Sequence, residues 1–340
     1  MRQEICTRRF GRVLAWSLAA ACGATILASD PAAPYLGRWA LTIPGGGAGW
    51  LQITKEKGYY DGSILWGGGS VVPVSSVFFY DGTLCVTRVR EVKRKNAAGK
   101  VVRTQQFTDL ITAEAEGDNL YLTLLNPRND GRGVTRAEFT GKRIPPLPPK
   151  PDLSKVRFGP PIVLFNGKDL TGWRLVNPHA RNGWTAENGI LRNKAILKHV
   201  HYGNLRTERE FKDFNLKLEV RVPPDGNSGI YLRGIYEVQV ADWYGKPADS
   251  HGMGGIYSRI TPTSNPCKPA GQWQSFDITL VKRHVTVILN GVKIIDNQPL
   301  LGCTGGALWS DEFRPGPIYL QGDHTSVDYR NIVLREVIEE

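Results

Sequence analysis

From Tyr35 onward the chain is cut into short runs in which apolar and polar residues alternate, each bounded by Gly, Asn, Asp or Pro. A period of two belongs to strands, and segments with a helical period are almost absent after residue 30. The pattern predicts an all-β protein. With 340 residues, 41% of them hydrophobic, and 38 glycines to make turns, there is material for two β domains with cores of their own.

The densest of these runs is Gly226-Asn-Ser-Gly-Ile-Tyr-Leu-Arg-Gly-Ile-Tyr-Glu-Val-Gln-Val-Ala-Asp242. Residues 229–241 read as one buried strand. Alternation puts Tyr236, Val238 and Val240 on one face and Glu237 and Gln239 on the other, about 7 Å apart, a distance one sugar ring spans. Arg233 joins the Glu237 face only if Gly234 keeps the pleat, because a glycine within a strand often marks a bulge. An ion pair and an amide on a solvated sheet face would carry the same pattern.

Between residues 35 and 143 about eight short strands are separated by Gly45-Gly46-Gly47, Gly67-Gly68-Gly69, Asp81-Gly82, Gly117-Asp118-Asn119 and similar turn signals. Consecutive hairpins of this number suit a small up-and-down barrel or a curled meander. Gly37-Arg38-Trp39 resembles the Gly-x-Trp that opens lipocalin-like barrels, and the resemblance implies that Trp39 closes one end. This region offers no acid, base and nucleophile together, so it reads as a binding or interaction accessory. Residues 144–161 carry seven prolines and read as a semi-rigid linker.

Residues 1–29 have four arginines followed by an apolar stretch from Val13 to Ala28, the pattern of a signal peptide. Thr7-Arg8-Arg9-Phe10 loosely resembles a twin-arginine export motif, and Leu18-Ala-Ala-Ala-Cys22 weakly matches a lipoprotein box, although Cys22 reads better as an ordinary cysteine of the apolar stretch than as a lipidated one. Export to the periplasm or cell envelope is therefore expected, with no transmembrane helix in the remainder. The net charge of +11 is partly concentrated in residues 88–103, and neither motif nor interleaved aromatics point to nucleic acid. Cys267 and Cys303, both in loop-like sequence of the second domain, are the expected disulfide in an oxidising compartment.

In residues 162–338 strands are expected at 190–198, 214–222, 229–241, 272–282, 285–289, 293–296, 318–321 and 327–337, with Asn290-Gly291 as a two-residue hairpin turn. Some 180 residues of such strands make a two-sheet sandwich of jelly-roll type. Phe165-Asn-Gly-Lys-Asp-Leu-Thr-Gly-Trp173, Gly226-Asn-Ser-Gly-Ile-Tyr-Leu-Arg233, Tyr236-Glu-Val-Gln-Val-Ala-Asp242, Pro269-Ala-Gly-Gln-Trp273, Leu289-Asn-Gly291 and Tyr329-Arg-Asn-Ile332 occur in order. Together they resemble the 3-keto-disaccharide hydrolase domain family, over residues 160–338.

That resemblance implies a concanavalin A-like jelly-roll sandwich and cleavage of glycosides already oxidised to a ketone at C3. The ketone acidifies the hydrogen on C2, so a base can remove it, the C1 substituent can leave, and water can add. Such chemistry needs a general base, an acid and a donor facing the enolate. Glu237 or Asp242 is the expected acid or base, with Arg233 on the ketone and His251 and His324 as imidazole candidates. Gln239, Tyr257, Trp243, Trp309 and Tyr231 are expected to bind substrate. No cofactor is called for, although a divalent ion clamping an enediolate stays chemically open. The rival is a carbohydrate-binding module of the cell envelope, with Trp173, Trp184, Trp243, Tyr244 and Trp309 as an aromatic platform. Oligomeric state is not legible.

Overall fold

In a computed structural model, which describes residues 30–195 and 200–339, the turn signals become turns of the kind their chemistry requires. Asp81-Gly82 and Asn290-Gly291 hold positive φ at both central positions, 48° and 74° in the first and 51° and 83° in the second. That backbone twists in the sense of paired strands, which is why these dipeptides close hairpins. No α-helix forms among the described residues, and none is available to cross a membrane. The expected leader lies outside the described residues.

Nine strands between Gly37 and Arg143 form one antiparallel sheet in which each pairs with its sequence neighbour, and the first, Gly37–Thr42, also pairs with the last, Val134–Arg143. The ladder is interrupted between Val72–Pro73 and Ser76–Tyr80, so the sheet is a curled meander sealed on one side only. Its inward residues, among them Leu41, Ile64, Leu84 and Ile111, make a core of their own. Trp39 is fully buried in it, its indole donating to the Tyr35 carbonyl at 2.8 Å and the Arg143 guanidinium lying 4.1 Å over its ring.

Two antiparallel sheets follow. One runs through Trp184–Glu187, Ile190–Asn193, Val327–Glu339, Phe214–Arg221, Gln274–Val281, His284–Leu289 and Val292–Pro299; the other orders Trp173–Leu175, Leu205–Thr207, Tyr319–Leu320, Asn227–Leu232 and Tyr236–Ala241. Their facing apolar side chains, including Leu216, Leu218, Val238, Val240, Ile278 and Leu334, fill the interior of a jelly-roll sandwich.

Three expectations change. Residues 229–241 are not one strand. Arg233 and Gly234 adopt φ of 55° and 68° and Ile235 donates back to the Leu232 carbonyl, so Asn227–Leu232 and Tyr236–Ala241 are the arms of a hairpin. The strand expected at 190–198 ends at Asn193, with residues 196–199 outside the described ones. Cys267 and Cys303 are free, as is Cys85. Cys303 faces the Gly49 carbonyl of the meander and Cys267 the Lys268 carbonyl, so the two thiols are committed to different surroundings.

The meander is packed against the sandwich through its outer face. Alternation along Ala48–Lys55 sends Leu51 and Ile53 inward, while Trp50 turns outward and joins the sandwich core. Arg259 lies 4.1 Å over the Trp50 ring, and a Cβ on Gly302 would run into the indole. The proline-rich segment is strapped down rather than free. Arg283 donates to the carbonyl of Pro146 at 2.8 Å, and Asn297 donates to that of Pro151 at 2.9 Å.

Candidate active site

The hairpin turn at Arg233-Gly234 decides what meets what. It folds Asn227–Leu232 back along Tyr236–Ala241 so that Tyr231 lies opposite Glu237, Gly229 opposite Gln239 and Asn227 opposite Ala241. Tyr236, Val238 and Val240 point into the sandwich core and are fully buried. The opposite face carries Asn227, Tyr231, Glu237 and Gln239, all lining one cavity of about 280 Å³. The alternation read from the sequence therefore holds, but the face is covered rather than solvated, with Glu237 only 3% exposed.

Tyr319, Gln321, Asp323 and His324 enter from the neighbouring strand Tyr319–Leu320 and the loop after it, and Asn204 from the approach to Leu205–Thr207. Tyr257 and the glycine pairs Gly68-Gly69 and Gly305-Gly306 complete the lining. Tyr319 stacks on Tyr231 with centroids 4.1 Å apart, and its hydroxyl accepts from Asn204 at 2.9 Å. Only a glycine fits at 229, because a Cβ there would run into Glu237 Oε1.

Burial pushes the Glu237 carboxyl up to about 8, against the pull of the Tyr231 hydrogen bond and the His324 charge, while the Asp323 charge adds to the rise. The Tyr231 hydroxyl lies 2.9 Å from Glu237 Oε2 and 2.7 Å from the Gly305 carbonyl. It has one hydrogen, and a carbonyl can only accept. With Glu237 protonated, that hydrogen satisfies Gly305 and the carboxyl donates to the tyrosine oxygen. With Glu237 ionised, the hydrogen turns to the carboxylate. The Gln239 amide, oriented with its nitrogen toward the carboxyl, donates to Glu237 Oε1 at 3.1 Å and to the Ser228 carbonyl at 3.3 Å.

At the rim, His324 Nδ1 pairs with Asp323 Oδ1 at 2.8 Å, and both residues are exposed. The hydrogen bond to Asp323 raises the imidazole above its ordinary value, with the Asp323 and Glu237 charges in support and partial burial opposing. Burial opposes ionisation of Asp323, yet the bond and charge from His324 outweigh it and hold the carboxyl low. One cavity thus holds a buried weak acid and an exposed strengthened imidazole. Among the described residues, no group of three or more His, Cys, Asp or Glu is placed to hold a metal ion.

Of the residues singled out from the sequence, Glu237, Gln239, Tyr231, Tyr257 and His324 meet in this cavity. Arg233 does not. Its left-handed turn conformation aims the guanidinium at the carbonyls of Glu312 and Arg314, away from Glu237. Asp242 lies past the end of the strand and accepts from the Asp225 amide at 3.1 Å. His251 stands behind the wall, its ring edge on Tyr257 and its Nδ1 2.9 Å from Asp249. Trp243 donates to the Pro247 carbonyl at 2.6 Å, Trp309 lies under Arg314, and neither lines the cavity. Trp173 and Trp184 are buried in the core, so the aromatic platform does not assemble. Asn204 and Tyr319 escape a reading of the sequence, since neither stands in a motif and only strand order brings them in.

The jelly-roll sheet of this all-β chain thus presents a sequestered carboxyl and a rim imidazole among amides and tyrosines. Residues 160–335 match the family described as the 3-keto-alpha-glucoside-1,2-lyase-like domain, and the chain belongs to that family. A 3-keto-disaccharide hydrolase from Bacteroides thetaiotaomicron is 26% identical, over 40% of this chain and 57% of its own length. The chain thus spans little more than half of that relative. A solved structure from Parabacteroides distasonis, assigned to the glycosyl hydrolases, is 32% identical over 57% of this chain and 94% of its own, with a TM-score of 0.44. A second from the same organism is 22% identical over 52% and 93%, with a TM-score of 0.42.

Proposed function

We propose that the chain cleaves 3-keto-glycosides by elimination across C1 and C2 followed by hydration, with Glu237 and His324 moving the protons. The observation that carries this is the pairing, in one cavity, of a buried carboxyl holding its proton to about 8 with an imidazole strengthened by Asp323. In its ionised form Glu237, at the buried end, takes the C2 hydrogen acidified by the ketone, and its raised value makes it a stronger base than an ordinary carboxylate. As the C1–O bond breaks, the electron pair left on C2 forms the C1–C2 double bond. His324, at the rim through which the leaving group departs, gives its proton to that oxygen. Water then adds to the enone, its hydroxyl to C1 while His324 takes its other proton, and Glu237 returns a proton to C2. The net change is consumption of one water. Among the described residues no arginine or lysine lines the cavity, and the developing enolate faces neutral donors from Gln239, Asn227 and Asn204. The basic, apolar leader supports action outside the cytoplasm, which fractionation of the expressed protein would test.

The deciding experiment uses the full chain in deuterated water with a 3-keto-glycoside and its unoxidised parent. Cleavage of the ketone alone, with deuterium at C2 of the product, is expected. Cleavage without exchange at C2 removes the elimination, and cleavage of the unoxidised glycoside removes the substrate assignment.

A further inference from the structure

The matched family region begins at residue 160, yet one wall of the Glu237 cavity comes from far upstream. Gly67 to Val71 connect Tyr60–Trp66 to Val72–Pro73 in the meander. Gly67 and Gly69 make the turn, with φ of 73° and 80°, and Gly68 and Gly69 line the cavity. The loop is fastened to the sandwich at three points. The Gly306 amide donates to the Gly67 carbonyl at 3.3 Å, Ser70 Oγ lies 2.9 Å from His251 Nε2, and the Val71 amide donates to Ser258 Oγ at 2.9 Å.

Contact is tight. A Cβ on Gly305 would run into the backbone of Gly69, and one on Gly306 would stand 2.7 Å from the Tyr231 hydroxyl. Gly68 differs from all of these. Its φ is not left-handed, and a Cβ on it would meet nothing within 4 Å. Neither the turn nor the packing requires a glycine at 68, and this residue lines the cavity.

We infer that the Gly67–Val71 loop is a substrate-contacting wall of the Glu237 cavity, so that the N-terminal meander, through Gly68, sets what size of sugar fits over the carboxyl. The inference rests on the reading of this cavity as a 3-keto-glycoside site. At about 280 Å³ the cavity lies just below the roughly 300 Å³ at which ligand sites start, and a single sugar ring filling it would lie against both glycine pairs. Bare backbone on two sides lets the ring approach closely.

The test compares the full chain with Gly68→Ala and Gly68→Leu, using a methyl 3-keto-glucoside and a 3-keto-disaccharide as probes. Gly68→Leu should lower kcat/KM by at least about tenfold, carried by KM, with a thermal midpoint within about 2 °C of the parent and Gly68→Ala between the two. In parallel, carbon-13 NMR of the Glu237 carboxyl should show its titration moving to higher pH in the leucine variant, because hydrocarbon replaces water above it. Values of kcat/KM within about twofold of the parent overturn the inference. If Gly68→Leu does not fold, Gly68→Ala carries both readouts. If the parent cleaves no 3-keto-glycoside, the reaction assignment fails and the titration alone decides whether the loop borders Glu237. An unmoved titration overturns the wall as well.

Discussion

The meander and the sandwich are made of the same material, antiparallel strands joined by tight turns, but they bury different things. Among the described residues, Asp109 is the one buried polar side chain inside the meander, while the sandwich and its loops bury Arg233, Glu237, Gln239, Glu312, Gln321 and others. Removing polar groups from water is costly unless partners are supplied. The meander avoids that cost with a core of Trp39, Leu41, Ile64 and Leu84, and so gives its sequence over to stability. The sandwich accepts it at Glu237, whose partners hold the carboxyl without making it easy to ionise. Stability and chemistry are assigned to different regions, and the seam between them is where the two meet.

Three substitutions break or sharpen that comparison. Glu237→Gln should lower turnover by about 10² to 10⁴, read by steady-state kinetics on a confirmed substrate. Its effect on stability runs the other way. Glu237 is held protonated to about 8 when folded, so the parent loses stability as pH rises from the ordinary carboxylate range to that value. The amide has no such slope, and thermal melts at pH 9 should show the variant stabilised by on the order of a few kcal/mol, a gain that vanishes near pH 4. Equal melting curves across that range would return Glu237 to the class of ordinary packing residues.

Trp50→Ala empties a position that belongs to the meander by sequence and to the sandwich core by packing. It should cost about 3 to 5 kcal/mol in denaturant unfolding. If the unfolding transition stays single and shifts as a whole, the two regions melt together. Separate transitions would show the seam to be weaker than its contacts suggest. The smallest effect is expected at Asp109, which accepts from Arg90 at 3.0 Å and Asn126 at 2.8 Å inside the meander. Asp109→Asn should cost about 1 to 3 kcal/mol and leave kcat and KM unchanged. A change in kinetics there would mean that the meander's interior, not only its Gly67–Val71 loop, reaches the site.

The sequence carries the all-β class and the face shared by Glu237 and Gln239, because both follow from a two-residue period that tertiary context rarely overrides. It hides the hairpin. Arg233-Gly234 lacks the Asn or Asp that usually opens a left-handed turn, so the strand reads straight through and Tyr231 falls far from the carboxyl it touches. The same gap leaves Arg233 facing the wrong way. Asn204, Tyr319 and Asp323 come from elements adjacent only in the sheet order, which no local pattern encodes. Gly68 is visible only as one of three consecutive glycines, and a turn is sufficient reason for them.

The single hydrogen on Tyr231 gives the acid strength of Glu237 a remote determinant. When the carboxyl ionises, that hydrogen leaves the Gly305 carbonyl, and a buried acceptor left bare costs about 1 to 3 kcal/mol. How firmly Gly305 can hold it depends on where the Gly305 peptide is placed, and the Gly69 backbone lies directly against that peptide. Through that peptide the meander helps to decide at which pH the carboxyl lets its proton go.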